Sequence, residues 1–326
     1  MFFKQNGTGA TALLAAMFVM FFSCPASEAL TLDFDYSYDT SGFFDNNQAK
    51  YTLEAAGNFF ESVLQDDLAA ISSGKRGSFT ANFYDPSTGK DIVSEGFSVA
   101  KNTLKIYVGA RDLKGFTLGS GGPGGYSISN YTPNSDWYLS VITRGEGATT
   151  DVRGDSATDF APWGGSLAFD SNASWFFDQT PATADDIPSG WSDFYSVALH
   201  EIAHLLGFGI ADSWKNLVSD QDFTGTNARK VYGQDPPLSL YKVHWKNGIV
   251  SRVPGINMLQ EAAMDPSIKV GTRKYVTELD LAALDDIGWD VNYEMAASFY
   301  TVPAPSALLL LGCGLALITG IRRKKG

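Results

Sequence analysis

Ser192-Asp193-Phe194-Tyr195-Ser196-Val197-Ala198-Leu199-His200-Glu201-Ile202-Ala203-His204-Leu205-Leu206-Gly207 is the stretch around which the rest of the chain is organised. Ser192 supplies an N-cap, Val197, His200 and Leu205 keep helical spacing, and Gly207 supplies a stop, so the segment predicts a helix. On a helix, residues four apart share a face at about 5–6 Å, so the imidazoles of His200 and His204 converge on one ion. That is the spacing zinc needs. Glu201, one position on, reaches a water beside the metal without ligating it. Zinc lowers the pKa of such a water from about 15.7 to about 7, and a carboxylate beside it acts as general base, passing the proton on to a leaving amine. Ala203, Leu205 and Leu206 crowd the neighbouring positions, so the histidines border a core rather than a solvated face.

A catalytic zinc site has three protein ligands and one open position. Beyond the helix, Asp212, Glu261 and His244 are the candidates for the third, and His244 is the only other histidine in the chain. The pattern His200, Glu201, His204, Gly207 resembles the helix motif of the metzincin proteases, which place the third ligand three residues past the glycine. Ile210 stands there and cannot ligate. Leishmanolysin-type metzincins carry an insertion at this point, and their third ligand lies in a His-Trp pair, preceded by Phe-x-Gly and followed by an acidic residue and a Met-Pro turn. This chain has Phe223-Thr224-Gly225, then His244-Trp245, then Glu261-Ala262-Ala263-Met264-Asp265-Pro266.

The resemblance spans roughly residues 192–291. It implies an α+β fold with a twisted mixed sheet, a long active-site helix and a smaller C-terminal subdomain. It further implies His200, His204 and His244 as ligands of Zn2+, Glu201 as catalytic base, and Met264 as a thioether beneath the ligands. Polypeptide is the implied substrate, offered an edge strand over Gly164 to Trp175. Leishmanolysins are rich in disulfides, whereas the two cysteines here, Cys24 and Cys313, both fall in terminal segments. The expected fold is therefore a stripped-down relative that stands on its core alone.

Both ends read as targeting segments. Lys4 precedes an apolar run from Thr11 to Phe22, and Ser27 and Ala29 keep the spacing of a signal-peptidase site, so residues 1–29 are expected to be a cleaved leader. Val302-Pro303-Ala304-Pro305 leads into an uncharged stretch from Ala307 to Ile321 and closes on Arg322, Arg323, Lys324 and Lys325. This tail, residues 301–326, resembles the PEP-CTERM sorting signal of exopolysaccharide-making bacteria, with Ala304 where the motif has glutamate. It implies an exosortase-like sorting enzyme as partner, contact with the membrane through this helix only, and export to the surface or medium of a bacterium. The protease domain is then residues 30–300, with lobes of about 30–207 and 208–300. The formal charge of the whole chain is −12; without both ends, 35 acidic residues face 19 basic ones. Nucleic acid is excluded as a partner on that balance.

Ahead of the metal helix, Leu53, Ala56, Phe60, Val63 and Leu64 predict an amphipathic helix from Gln48 to Leu68. Period-two alternation at Phe79, Ala81, Phe83, at Leu104, Ile106, Val108, at Trp137, Leu139, Val141 and at Leu167, Phe169 predicts strands of one sheet. Gly115 to Gly125 holds six glycines and lacks the Gly-Lys-Ser/Thr of a phosphate cradle, so it is expected to be a flexible surface loop. Thr277 with Asp280 opens a further helix, ending at Gly288-Trp289. Two other functions suit the same residues: a non-catalytic surface or matrix protein on a protease scaffold, and zinc hydrolysis of a non-peptide amide. Against the first, a retired scaffold has no chemical reason to keep a base beside its metal.

Overall fold

The structure, a computed structural model, describes residues 29–301 apart from 182, 184 and 185. The segments expected to be a leader (residues 1–29) and a sorting tail (residues 301–326) lie outside the described residues but for Ala29 and Thr301. In chain order the N-terminal elements are β1 (Thr31–Asp35), α1 (Asn47–Val63), β2 (Ser78–Tyr84), β3 (Asp91–Ser94), β4 (Thr103–Arg111), β5 (Gly119–Pro123), β6 (Gly125–Ser129), α2 (Asp136–Thr143), α3 (Thr149–Val152) and β7 (Gly164–Asp170). The short β8 (Trp175–Phe176) and β9 (Ser192–Asp193) pair beside the helix that carries the histidines, α4 (Phe194–Leu205). After it come α5 (Asp212–Asn216), the β10 (Val218–Ser219) and β11 (Asp222–Phe223) hairpin, and α6 (Thr226–Tyr232). The chain finishes with β12 (Val250–Arg252), β13 (Leu259–Glu261), α7 (Glu278–Asp286) and α8 (Tyr293–Phe299).

The fold is α+β. Its main sheet has the order β1-β4-β7-β5, the first three strands parallel and β5 antiparallel at the edge. Alternation along the strands sorts residues to two layers. Leu104, Ile106, Val108, Leu167 and Phe169 face α1 and α4, where Leu53, Phe59, Phe60, Leu199 and Ile202 complete a core. Fully burying such a side chain contributes about 1.5–3 kcal/mol, so this one face fixes both helices to the sheet. Tyr107 and Trp163 face the other way, onto a second small sheet of order β3-β2-β6, with Phe83 stacked on Tyr107 at 4.2 Å. The C-terminal α8 returns to α1, placing Phe299 and Tyr300 against Phe59.

Several expectations require correction. The Phe79, Ala81, Phe83 strand belongs to the second sheet, since its partners are β3 and β6. Trp137, Leu139 and Val141 lie on a helix, α2, whose N-cap Ser135 accepts the N–H of Tyr138. Trp137 and Val141 are buried while Leu139 is exposed. Spacing of four satisfies both periodicities, and the cap decides between them. α1 ends at Val63 rather than Leu68, because Leu64 turns extended and bridges Val291. Residues 164–170 are not an edge strand: β7 lies between β4 and β5. The edge is β5, built from the glycine run expected to be a loose loop. Among the described residues no helix is long and apolar enough to cross a membrane.

Candidate metal centre

Asp193, not Ser192, caps α4; its carboxylate accepts the Ser196 N–H at 3.1 Å. That carboxylate also takes two bonds from the buried Arg273, whose third ion-pair contact is with Asp178 at 2.6 Å. The helix entry is thereby tied both to the 178 segment and to residues 273–274. At the other end Gly207 adopts φ +99°, the left-handed geometry that ends a helix at low cost.

His200 and His204 lie on one face of α4, and His244 comes to them from the long segment after α6. Their three Nε2 atoms stand 3.1, 3.1 and 2.9 Å apart. His200 donates Nδ1–H to the carbonyl of Ala263 at 2.8 Å, and His204 donates to that of Phe208 at 2.9 Å. A carbonyl can only accept, so each of these rings carries its proton on Nδ1 and turns an Nε2 lone pair inward. Two lone pairs at 3.1 Å repel unless a cation lies between them. Burial, then the neighbouring rings, pushes His200 well below its ordinary pKa and His204 down to about 4; burial lowers His244 as well. All three are therefore neutral, the ligating form, near pH 7. A tetrahedral ion with Zn–N bonds of about 2.0–2.1 Å sets its ligand nitrogens about 3.3 Å apart, a few tenths from the spacing found. These residues lie close enough to hold one metal ion.

The other candidates for the third position are engaged elsewhere. Asp212 accepts the N–H of Gly154 and pairs with Lys215, both at 2.9 Å. Glu261 pairs with Lys274 at 3.0 Å. Ile210 lines the cleft without a donor atom.

A buried carboxylate fixes the third histidine. Asp280 accepts Trp245 Nε1–H at 2.9 Å, the N–H of Ala263 at 2.9 Å and that of Met264 at 3.2 Å, besides the Thr277 hydroxyl and the Thr277 N–H; the last, with the Asp280 N–H given to Thr277 Oγ1, completes the expected capping box. Trp245 N–H in turn bonds the carbonyl of Met264 at 3.0 Å. One side chain on α7 thus holds the segment that carries His244 against the segment whose Ala263 carbonyl orients His200. Met264 is fully buried, and Trp245 packs among Phe208, Trp214 and Phe223. In the sequence, Asp280 signals only a helix cap, through its spacing of three from Thr277.

Glu201 lines the same cleft, a space of about 680 Å³ with the three histidines in its wall. Burial pushes its carboxyl up to about 8, against the pull of the Gly121 N–H that donates to it. β5 lies directly on this residue. A Cβ at Gly119 would stand 2.5 Å from Glu201 Oε1, and one at Gly121 would stand 2.5 Å from the Glu201 carbonyl. The glycines are required by close approach, a recognised meaning of glycine within a strand. The register leaves one side of β5 unpaired. Leu118 and Gly124 bond across to β7, so Gly119 and Gly121 direct their backbone groups outward. Gly121 gives its N–H to Glu201, and among the described residues no strand pairs with the rest.

Compared with protein-family models, with curated proteins and with solved structures, the chain matches none.

Proposed function

We propose that the chain is an exported zinc endopeptidase of metzincin type that hydrolyses polypeptides with Glu201 as general base. The observation that carries this reading is the convergence of three neutral imidazole nitrogens beside a buried carboxylate, beneath a free strand edge. The donor set of three nitrogens and no sulfur suits zinc, with one position left open. His200, His204 and His244 would hold the ion. When bound, zinc supplies Lewis acidity, making a water acidic near neutral pH and polarising a carbonyl.

The chain's own residues account for the remaining steps. The Gly119 N–H and carbonyl and the Gly121 carbonyl offer hydrogen bonds to an extended backbone, which favours polypeptide over a small amide. Once ionised, Glu201 removes a proton from the attacking water and returns it to the leaving amine. The Gly121 N–H favours the ionised carboxylate. Ala263 and Phe208 fix the tautomers of two ligands, and such partners of ligating histidines also raise their basicity.

Zinc content and casein hydrolysis of the purified protein, of Glu201→Gln and of His244→Ala test the reading together. The wild type is expected to hold one zinc per chain and to cut casein. Glu201→Gln keeps the zinc and loses cleavage, and His244→Ala loses tight zinc binding. Undiminished cleavage by Glu201→Gln, or stoichiometric zinc in His244→Ala, sinks the assignment.

A further inference from the structure

On the other side of β5 lies a second cavity of about 410 Å³. Ser120, Gly121 and Ile210 line both this cavity and the metal cleft, so β5 is the wall between them. The cavity is on the sheet face turned away from α4. Ser166 and Ala168, which line it, alternate along β7 with Leu167 and Phe169, which pack beneath α4. A chain paired to the free edge of β5 continues the sheet, so its successive side chains point alternately to the histidines and to this second cavity.

Arg111, the last residue of β4, is half-buried in its lining. Nη1 donates to the carbonyl of Pro86 at 2.8 Å. Among the described residues no carboxylate lies within ion-pair distance of the guanidinium, although the chain holds 36 acidic residues. The nearby acids are otherwise placed: Asp85 commits Oδ1 to the N–H groups of Ser87 and Thr88, at 2.8 and 3.1 Å, Asp170, paired with Arg111 in the β4–β7 register, accepts the Leu113 N–H at 3.1 Å, and Asp91 lines the cavity as an exposed residue. Burial lowers the arginine, with Asp85 pulling it back, as expected of a cation removed from water and incompletely matched. A planar guanidinium with free N–H groups binds a carboxylate through two parallel bonds, a geometry that neither lysine nor an amide reproduces.

We propose that this cavity is a second side-chain subsite of the cleft, which selects aspartate or glutamate in the bound polypeptide, and that Arg111 is its specificity-determining residue. The proposal rests on the endopeptidase reading. Its test is the mapping of cleavage sites in a mixed peptide library by mass spectrometry, using the zinc-loaded protein, followed by kcat/KM on matched peptides with Glu or Gln at the selected position. An acidic residue is expected at one fixed distance from the cut, with a Glu-over-Gln preference of about tenfold or more. The preference collapses in Arg111→Gln and turns toward Lys in Arg111→Glu. Asp91→Asn removes the competing charge at an exposed position and raises the preference, which keeps the test open should the arginine variants fail to fold. Cleavage with no acidic preference, or a preference that survives Arg111→Gln, overturns the subsite alone. A protein that binds zinc and cuts no peptide overturns the endopeptidase reading and the subsite with it.

Discussion

Gly119→Ala adds one methyl group where β5 crosses the proposed base. The new Cβ would stand 2.5 Å from Glu201 Oε1, 2.6 Å from Cγ and 2.8 Å from Cδ. Non-bonded carbon contacts settle at about 3.5–4.0 Å, so either the carboxylate or the strand has to move by about 1 Å. A displacement of that size at a reacting group costs on the order of a hundredfold in rate. Overpacking of this kind costs about 1–3 kcal/mol of stability, which a folded domain of this size tolerates. We therefore expect kcat/KM on a peptide substrate to fall about a hundredfold while zinc remains at one per chain, because none of the three histidines is touched by the clash. Gly122→Ala is the contrasting variant. Its Cβ would meet only Ile210 Cδ1, at the ordinary distance of 3.5 Å, and its loss should be much smaller. Metal analysis, thermal denaturation and steady-state kinetics on the two variants separate the outcomes. Wild-type kcat/KM in Gly119→Ala, or a loss matched by lost zinc, would refute the placement of Glu201 under the strand.

Two further changes probe the frame of the site. Asp280→Ala strips the acceptor from Trp245 Nε1–H and from the N–H groups of Ala263, Met264 and Thr277, and each unsatisfied buried donor costs about 1–3 kcal/mol. We expect at least about 3 kcal/mol lost in denaturation of the metal-free protein and zinc affinity about 10- to 100-fold lower by chelator competition; an unchanged affinity would deny the carboxylate its orienting role. Asp66 is a carboxyl pushed up to about 7, by burial first and then by Glu146 and Asp290. A folded pKa above the unfolded one favours the fold at low pH, and that contribution is lost as pH rises from about 4 through about 7. The gap from about 4 to about 7 corresponds to about 4 kcal/mol, so Asp66→Asn should stabilise the protein by about 4 kcal/mol at pH 8 and by less than about 2 kcal/mol at pH 5 in urea unfolding, and a difference that does not vary with pH counts against the shift.

The grouping of the three histidines was legible because it is local or rests on rare residues. His200, Glu201 and His204 sit within one turn and a half of helix, and His244 was the only histidine left to complete the set. Thr277 with Asp280 was legible for the same reason, being a contact between residues three apart. The support was not. Asp280 reaches Trp245 across 35 residues, and Arg273 reaches Asp193 across 80, with nothing in the intervening sequence to signal either contact. The glycine run was misread because composition reports what a segment can do alone, whereas Gly119 and Gly121 are fixed by what lies under them. Their spacing of two residues was the available signal, since it matches the period of a strand that turns one face to a close neighbour.

The buried contact of Arg273 with Asp178 and Asp193 joins distant parts of the chain, a task small exported domains commonly assign to a cystine. An ionic join has no oxidation state. Between Ala29 and Thr301 there is no thiol to mispair, so assembly of this region requires neither an oxidant nor an isomerase, and reductants leave it intact. The yield of refolding from denaturant is therefore expected to be the same in the presence and absence of dithiothreitol.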